Sequence, residues 1–309
     1  MITKLYQLIS DSLLLLPDNQ QRIVTLAMKP NIVVLTDFSP AAERARAYAA
    51  VLAAPLGAEL HLVHVFLPSP TATEYGMVLP YVDEGYVQEI RRSLQRVADA
   101  MPVSTTVELI ETSWYDAVEQ AVHQHRPLLL VAGLTATYGQ FDEWLSNRAL
   151  PLAHRTGFPL LLVPEHLPDA ALHLPKCLAL AVEDRAFRLA PAATAVAPLL
   201  DILGLDIVTV SVLPPEDESA GGWHGLRAAQ RCGLAAAMPA SRLHTVIGDL
   251  PAAGILQAAT ELSADMVGLL DLGHGWVHKL FRNSIIDYVL RHAQVPVLLL
   301  SAEITAPEE

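Results

Sequence analysis

Two stretches of this chain bring glycines, charged side chains and a helix start together in a way that suits an anion. The first runs from Gly133 through Asp142, Glu143 and Trp144 to Ser146 and Asn147. The second runs from Leu270 and Asp271 through Gly273, His274, Gly275, His278, Lys279 and Arg282 to Asn283 and Ser284. Glycine lets backbone N–H groups approach a phosphate, and a helix opening behind the loop adds its N-terminal dipole. The second stretch sets Lys279, Arg282, His274 and His278 against one acid, Asp271, so charge makes it the better anion site. Asn283 also tolerates a left-handed backbone. In the first stretch Asp142 and Glu143 lie where a phosphate would sit and would repel it.

Longer repeating units position these loops. Leu128–Val163 and Asp265–Leu300 each read as a buried strand, a polar loop, a helix and a Pro-led apolar strand. Asn31-IVVLTD returns as Cys177-LALAVE after 146 positions, and Pro159 returns as Pro296 after 137. A period near 140 is a duplicated domain, not a solenoid. In order, the first half reads as strands at 31–37, from 59, at 105–110, from 128 and from 159, with helices near 40–54, 82–100 and 115–123. The stretch 67–80 holds three prolines and no helical period, so it reads as a loop. The second half reads as strands at 177–182, 206–212, 243–247, 265–270 and 296–301, with helices near 187–203, 222–236, 251–263 and 284–293. Pro198 should kink or split the first of these helices.

Strands alternating with helices predict an α/β protein of two domains with mostly parallel sheets and right-handed crossovers. The expected boundaries are a helical extension at 1–30, domains at 31–165 and 176–302, a Pro-rich linker at 166–175 and a tail at 303–309. In the extension, Ile2, Leu5, Ile9 and Leu13 fall on one helix face, suited to packing on its own domain or to a partner.

Composition narrows the function. The chain has 309 residues and a net charge of −13, which argues against nucleic acid or an anionic membrane as the main partner. With 52 % hydrophobic and 17 % charged residues it suits a filled core, not disorder. Its two cysteines build no disulfide framework, and no stretch reads as a signal peptide or a membrane span. The expectation is a cytoplasmic protein.

Both halves resemble universal stress protein (UspA-like) domains. The likeness rests on LTDFSP at Leu35–Pro40, GAELHLVHVF at Gly57–Phe66, the run Val246–Leu270 and VLRHAQVPVLLL at Val289–Leu300, and it covers about 31–165 and 176–302. It implies two Rossmann-like domains of the adenine nucleotide alpha hydrolase-like type. Each would have five parallel strands in the order 3-2-1-4-5, and a pseudo-two-fold axis would pair their last strands. ATP-binding members carry G-x2-G-x9-G-[ST] after the fourth strand. In the first half Gly133 matches the first glycine, while Ala136, Ser146 and Asn147 stand at the next positions. In the second half Leu270 replaces the first glycine, Gly273 and Ser284 are kept, and Asn283 replaces the third glycine. Asp37 keeps the acid those members place beside adenine and ribose, and Glu183 replaces it in the second half.

Neither half holds the full set. The leading reading is therefore a regulatory interaction module of the stress response, without a resident cofactor and working by self-association and protein partners, a homodimer included. The alternative is an ATP-responsive regulator with one working site at 270–284. An enzyme ranks third, because no G-x-S-x-G, P-loop or metal-ligand cluster is present. Lesser features read as structural. His61 and His64 fall on opposite faces of one strand, His123 and His125 read as capping or surface groups, and Cys177 reads as an inert buried thiol.

Overall fold

A computed structural model describes residues 29–66, 69–72, 78–81, 84–135, 155–215, 221–272 and 285–305. The first half begins with β1 (Asn31–Leu35), an apolar run buried on both faces, as a central parallel strand must be. Ser39 then caps α1 (Pro40–Ala53): its hydroxyl accepts from the Ala42 amide, and Pro40 fills the first helical position. Eight of the fourteen α1 residues are buried, six of them alanines. That small-residue face lets the helix lie close on the sheet. Next come β2 (Glu59–Val65), β3 (Ser69–Ala72), β4 (Val78–Tyr81), α2 (Glu84–Asp99) and β5 (Thr105–Ile110). The half closes with α3 (Trp114–His125), β6 (Leu129–Leu134) and β7 (Leu160–Pro164).

The second half holds β8 (Cys177–Ala181), β9 (Phe187–Leu189), α4 (Ala197–Leu203), β10 (Asp206–Leu213), α5 (Trp223–Arg231) and β11 (Arg242–Ile247). It ends with α6 (Pro251–Glu261), β12 (Met266–Asp271), α7 (Ile285–His292) and β13 (Val297–Ile304). The sheet order is β11-β10-β8-β12-β13-β7-β6-β1-β2-β5. Read by halves this is 3-2-1-4-5 twice, and these five strands are parallel within each half.

The halves join through β7 and β13, which pair antiparallel. Leu161 faces Leu298, and these two residues stand 137 positions apart, like Pro159 and Pro296. A residue paired with its own repeat image marks the pseudo-two-fold axis. Leu160–Val163 and Val297–Leu300 are at most 1 % exposed. Burying one such side chain is worth about 1.5–3 kcal/mol before chain entropy is subtracted. The apolar clusters on the two faces of the sheet each run across this seam. The segment after β7 is tied down as well: Leu167 is buried, and Asp169 in a short 3-10 turn pairs with Arg44 of α1 at 2.6 Å.

Three local expectations need correction. The helix read at 187–203 is strand β9, a 3-10 stretch (Pro191–Val196) and α4. Pro198 does divide the segment, since α4 begins one residue before it. The stretch 67–80, read as a loop, contains the two-stranded antiparallel ribbon β3–β4. The last strand also runs beyond Ser301 to Ile304, because β9 pairs antiparallel with its end, Phe187 opposite Ile304.

Candidate functional site

In an open parallel sheet the place for a ligand lies beyond the carboxyl ends of the first and fourth strands. In the first half β1 leads into Thr36, Asp37, Phe38 and Ser39. Thr36 donates its amide to Val63 O at 2.9 Å, and its hydroxyl accepts from Arg46 at 3.2 Å. Its carbonyl accepts from His64 Nδ1 at 2.8 Å, which sets the proton on that nitrogen. Asp37 is exposed, and its Oδ1 accepts from the Ser39 amide at 3.0 Å. Phe38 takes a left-handed backbone, φ 63°, at a cost of about 1–2 kcal/mol for a non-glycine residue. Its ring lies 5.1 Å from the His64 ring and is 42 % exposed. Burial holds the Arg46 guanidinium below its ordinary range, with Glu43 and then Asp37 acting the other way.

Gly133 sits in β6 beside this turn. A Cβ there would lie 2.3 Å from the carbonyl carbon of Ala41 and 2.5 Å from its oxygen. The glycine is thus required by the first turn of α1, whether or not a phosphate ever approaches.

The second half is built differently at the matching places. Glu183 pairs with Arg185, two residues on. Asp184 Oδ1 accepts from the His224 amide at 2.7 Å and the Gly225 amide at 3.1 Å, so it caps α5 from across the crevice. A Cβ on Gly225 would lie 2.4 Å from the carbonyl oxygen of Glu183. The start of α5 therefore rests on the tip of the first strand. Leu270, at the position of Gly133, packs against the buried cluster that holds Phe187 and Leu189. Asp271 is 7 % exposed at the end of β12, which places a carboxylate at the mouth of the loop that follows.

Of the residues singled out in the sequence, Asp37 is bonded to Ser39 and Gly133 lies against Ala41, both at the start of α1, while Glu183 is drawn to Arg185. Asn147, Gly273, Gly275, Lys279, Arg282, Asn283 and Ser284 lie outside the described residues, as does the 1–28 part of the extension. Sequence reasoning missed Gly225; it places Asp184 at a surface helix start and His64 on a strand face, and reaches neither the cap on α5 nor the bond to Thr36. The spacing from Asp184 to Gly225 gave no linear signal.

His125 is neither a cap nor a simple surface group. Arg126, left-handed at φ 46°, ends α3, and His125 meets Glu108 at 2.9 Å. Burial raises the thiols of Cys177 and Cys232 above their ordinary range and keeps them protonated. A shallow cavity of about 930 Å³, lined by Gln120, Val122, Pro127, Leu128, Phe158 and Ala195 among others, opens at the amino end of β6. That is the opposite end from the crevice. Among the described residues no three His, Cys, Asp or Glu side chains could hold a metal, and no helix is long and apolar enough to cross a membrane.

The sequence model of the universal stress protein family matches residues 28–164 and again 178–301. The chain belongs to the universal stress protein family. It is a tandem member, with both domains in one continuous sheet. A universal stress protein from Archaeoglobus fulgidus DSM 4304 is similar in structure, with a TM-score of 0.57 at 16 % identity, covering 88 % of this chain and 96 % of that one. A functionally unknown protein from Pseudomonas aeruginosa PAO1 gives 0.50 at 13 % identity, covering 90 % and 94 %. At such identities the likeness is one of fold. The comparison with curated proteins finds no match.

Proposed function

We propose that this tandem universal stress protein is a non-enzymatic regulatory module of the cytoplasm that works by self-association and protein contacts, with no strong nucleotide site. One observation carries the reading. In the second half, where the loop charge is most favourable, β9 stands in place of the helix that should follow the first strand, and α5 covers the strand tip. A nucleotide there would have to displace the Asp184 cap and the Glu183–Arg185 pair.

A second reading has its own support. The first half keeps an exposed Asp37, a Ser39-capped helix and Gly133. If any adenine nucleotide binds, this half is the better frame, although Asp142 and Glu143 oppose it.

Calorimetric titration with ATP and Mg²⁺ tests both. The proposal expects no heat at millimolar ATP. Micromolar binding abolished by Ser284→Asp would overturn it in favour of the second domain. Binding abolished by Asp37→Ala would overturn it in favour of the first.

A further inference from the structure

At the amino end of the first half's sheet, far from the crevice, His61 of β2 and His125 of α3 stack. Their ring centroids are 4.0 Å apart and their planes 20° apart. His61 Nδ1 lies 2.6 Å from the Thr106 hydroxyl, and His125 Nε2 lies 2.9 Å from Glu108 Oε2, both partners on β5. The His125 carbonyl accepts from Asn31 Nδ2 at 2.9 Å. The last turn of α3 is thus fastened to β1, β2 and β5 around one half-buried ring.

We propose that the His61–His125 stack is an acid-sensitive latch, which holds the end of α3 on the sheet near neutral pH and releases it when His61 takes a proton.

The charges around His61 are unevenly placed. Glu108 is hydrogen-bonded to His125, whereas His61 has a hydroxyl as its partner. Glu59 stands two residues before it on β2 and is paired with Lys29 at 3.5 Å. On α3, His123 is exposed. A proton on His61 would put a charge against the stacked His125 ring, with the nearby carboxylate of Glu108 bonded to His125 and not to His61. Burial first, and His125 second, hold His61 below its ordinary range; Glu59 and Glu108 pull it back, and Lys29 adds a smaller lowering.

The direction follows. The unfolded chain takes up this proton more readily than the folded one. The stabilisation is complete above the unfolded value of about 6.5 and is lost as pH falls from there through the folded value. The second half supplies its own control. Its matching row holds Val208, beside Ala179, where the first half has His61 beside Val33.

Unfolding of the whole chain is measured from pH 7.5 to 5.0 for the unaltered protein and for His61→Val. The variant is expected to lose less stability on acidification, by a factor of about ten in the folding equilibrium for each unit of depression. A difference that does not change with pH overturns the proposal. Should the variant fold poorly, the unaltered protein gives the answer by NMR. The His61 ring is expected to titrate below about 6.5, with the Arg126 amide, which donates to Val122 O at 2.8 Å, exchanging faster at pH 5 after correction for intrinsic rates. A midpoint at or above the ordinary value, or unchanged protection, overturns it.

Discussion

The two halves share a strand order and differ where the first strand ends. In the first, Ala41 lies on Gly133, a pair of small residues that lets a helix backbone touch the sheet. In the second, the same two positions are Phe187 and Leu270, a pair of large ones, Phe187 in the buried cluster and Leu270 packed against it, and the segment runs as a strand. Small against small admits a helix at contact distance; large against large fills the same space from side chains alone. The degenerate loop is therefore not an isolated loss. The missing first glycine and the missing helix are two sides of one repacking.

A second difference runs the other way, toward equivalence. Glu108 of β5 bridges His125 of α3 at 2.9 Å, and His244 of β11 bridges Glu261 of α6 at 2.8 Å. Both members of the pair are shifted by 136 positions, with acid and base exchanged. Within one chain the tie between third strand and helix end is kept while its polarity is reversed. What the fold needs there is a complementary pair, whichever element carries the charge.

The largest expected effect tests the symmetric seam. Leu161→Ala and Leu298→Ala should each cost about 2–5 kcal/mol in denaturant unfolding, and about equally, because each residue sits against its own repeat image. Unequal losses would break the two-fold reading. The next test addresses the small-residue contact. Gly133→Ala should cost roughly 2–3 kcal/mol, since its methyl meets backbone of α1 at 2.3 Å. Gly268→Ala in the second half, whose methyl meets the tip of Leu180 at 2.9 Å, should cost less than about 1 kcal/mol. Equal costs would remove packing as the reason for Gly133. The smallest effect concerns the helix start. Ser39→Ala should cost about 1 kcal/mol through the lost cap. Arg185→Ala, at the matching position, should stay within about 0.5 kcal/mol, measured by thermal unfolding.

Much of this was readable beforehand. The capped start of α1 followed from Ser39-Pro40, and the closing strands from Pro159-LLLV and Pro296-VLLL. The segment 187–203 carries a strand signal at its start. Phe187-Arg188-Leu189 alternates buried, exposed, buried, which is a strand period, and Ala190 precedes a proline that disfavours helix. The Ala-rich run after Pro191 favours helix and masks that short signal. The ribbon β3–β4 was hidden because prolines within a run read as loop.

The sequence by itself determined the duplication and the alternation of strands and helices, which rest on local periodicity and on residue types that recur at fixed separations. The strand order and the seam were implied by the resemblance to universal stress proteins, and the sheet pairing bears them out. Only the tertiary structure decided what fills each crevice. Asp184 reaching α5, Gly133 meeting Ala41 and His61 stacking on His125 are contacts between residues about 40 to 90 positions apart. No propensity encodes such meetings. They exist because the sheet sets these elements side by side, and close packing lets one set of atoms occupy the gap.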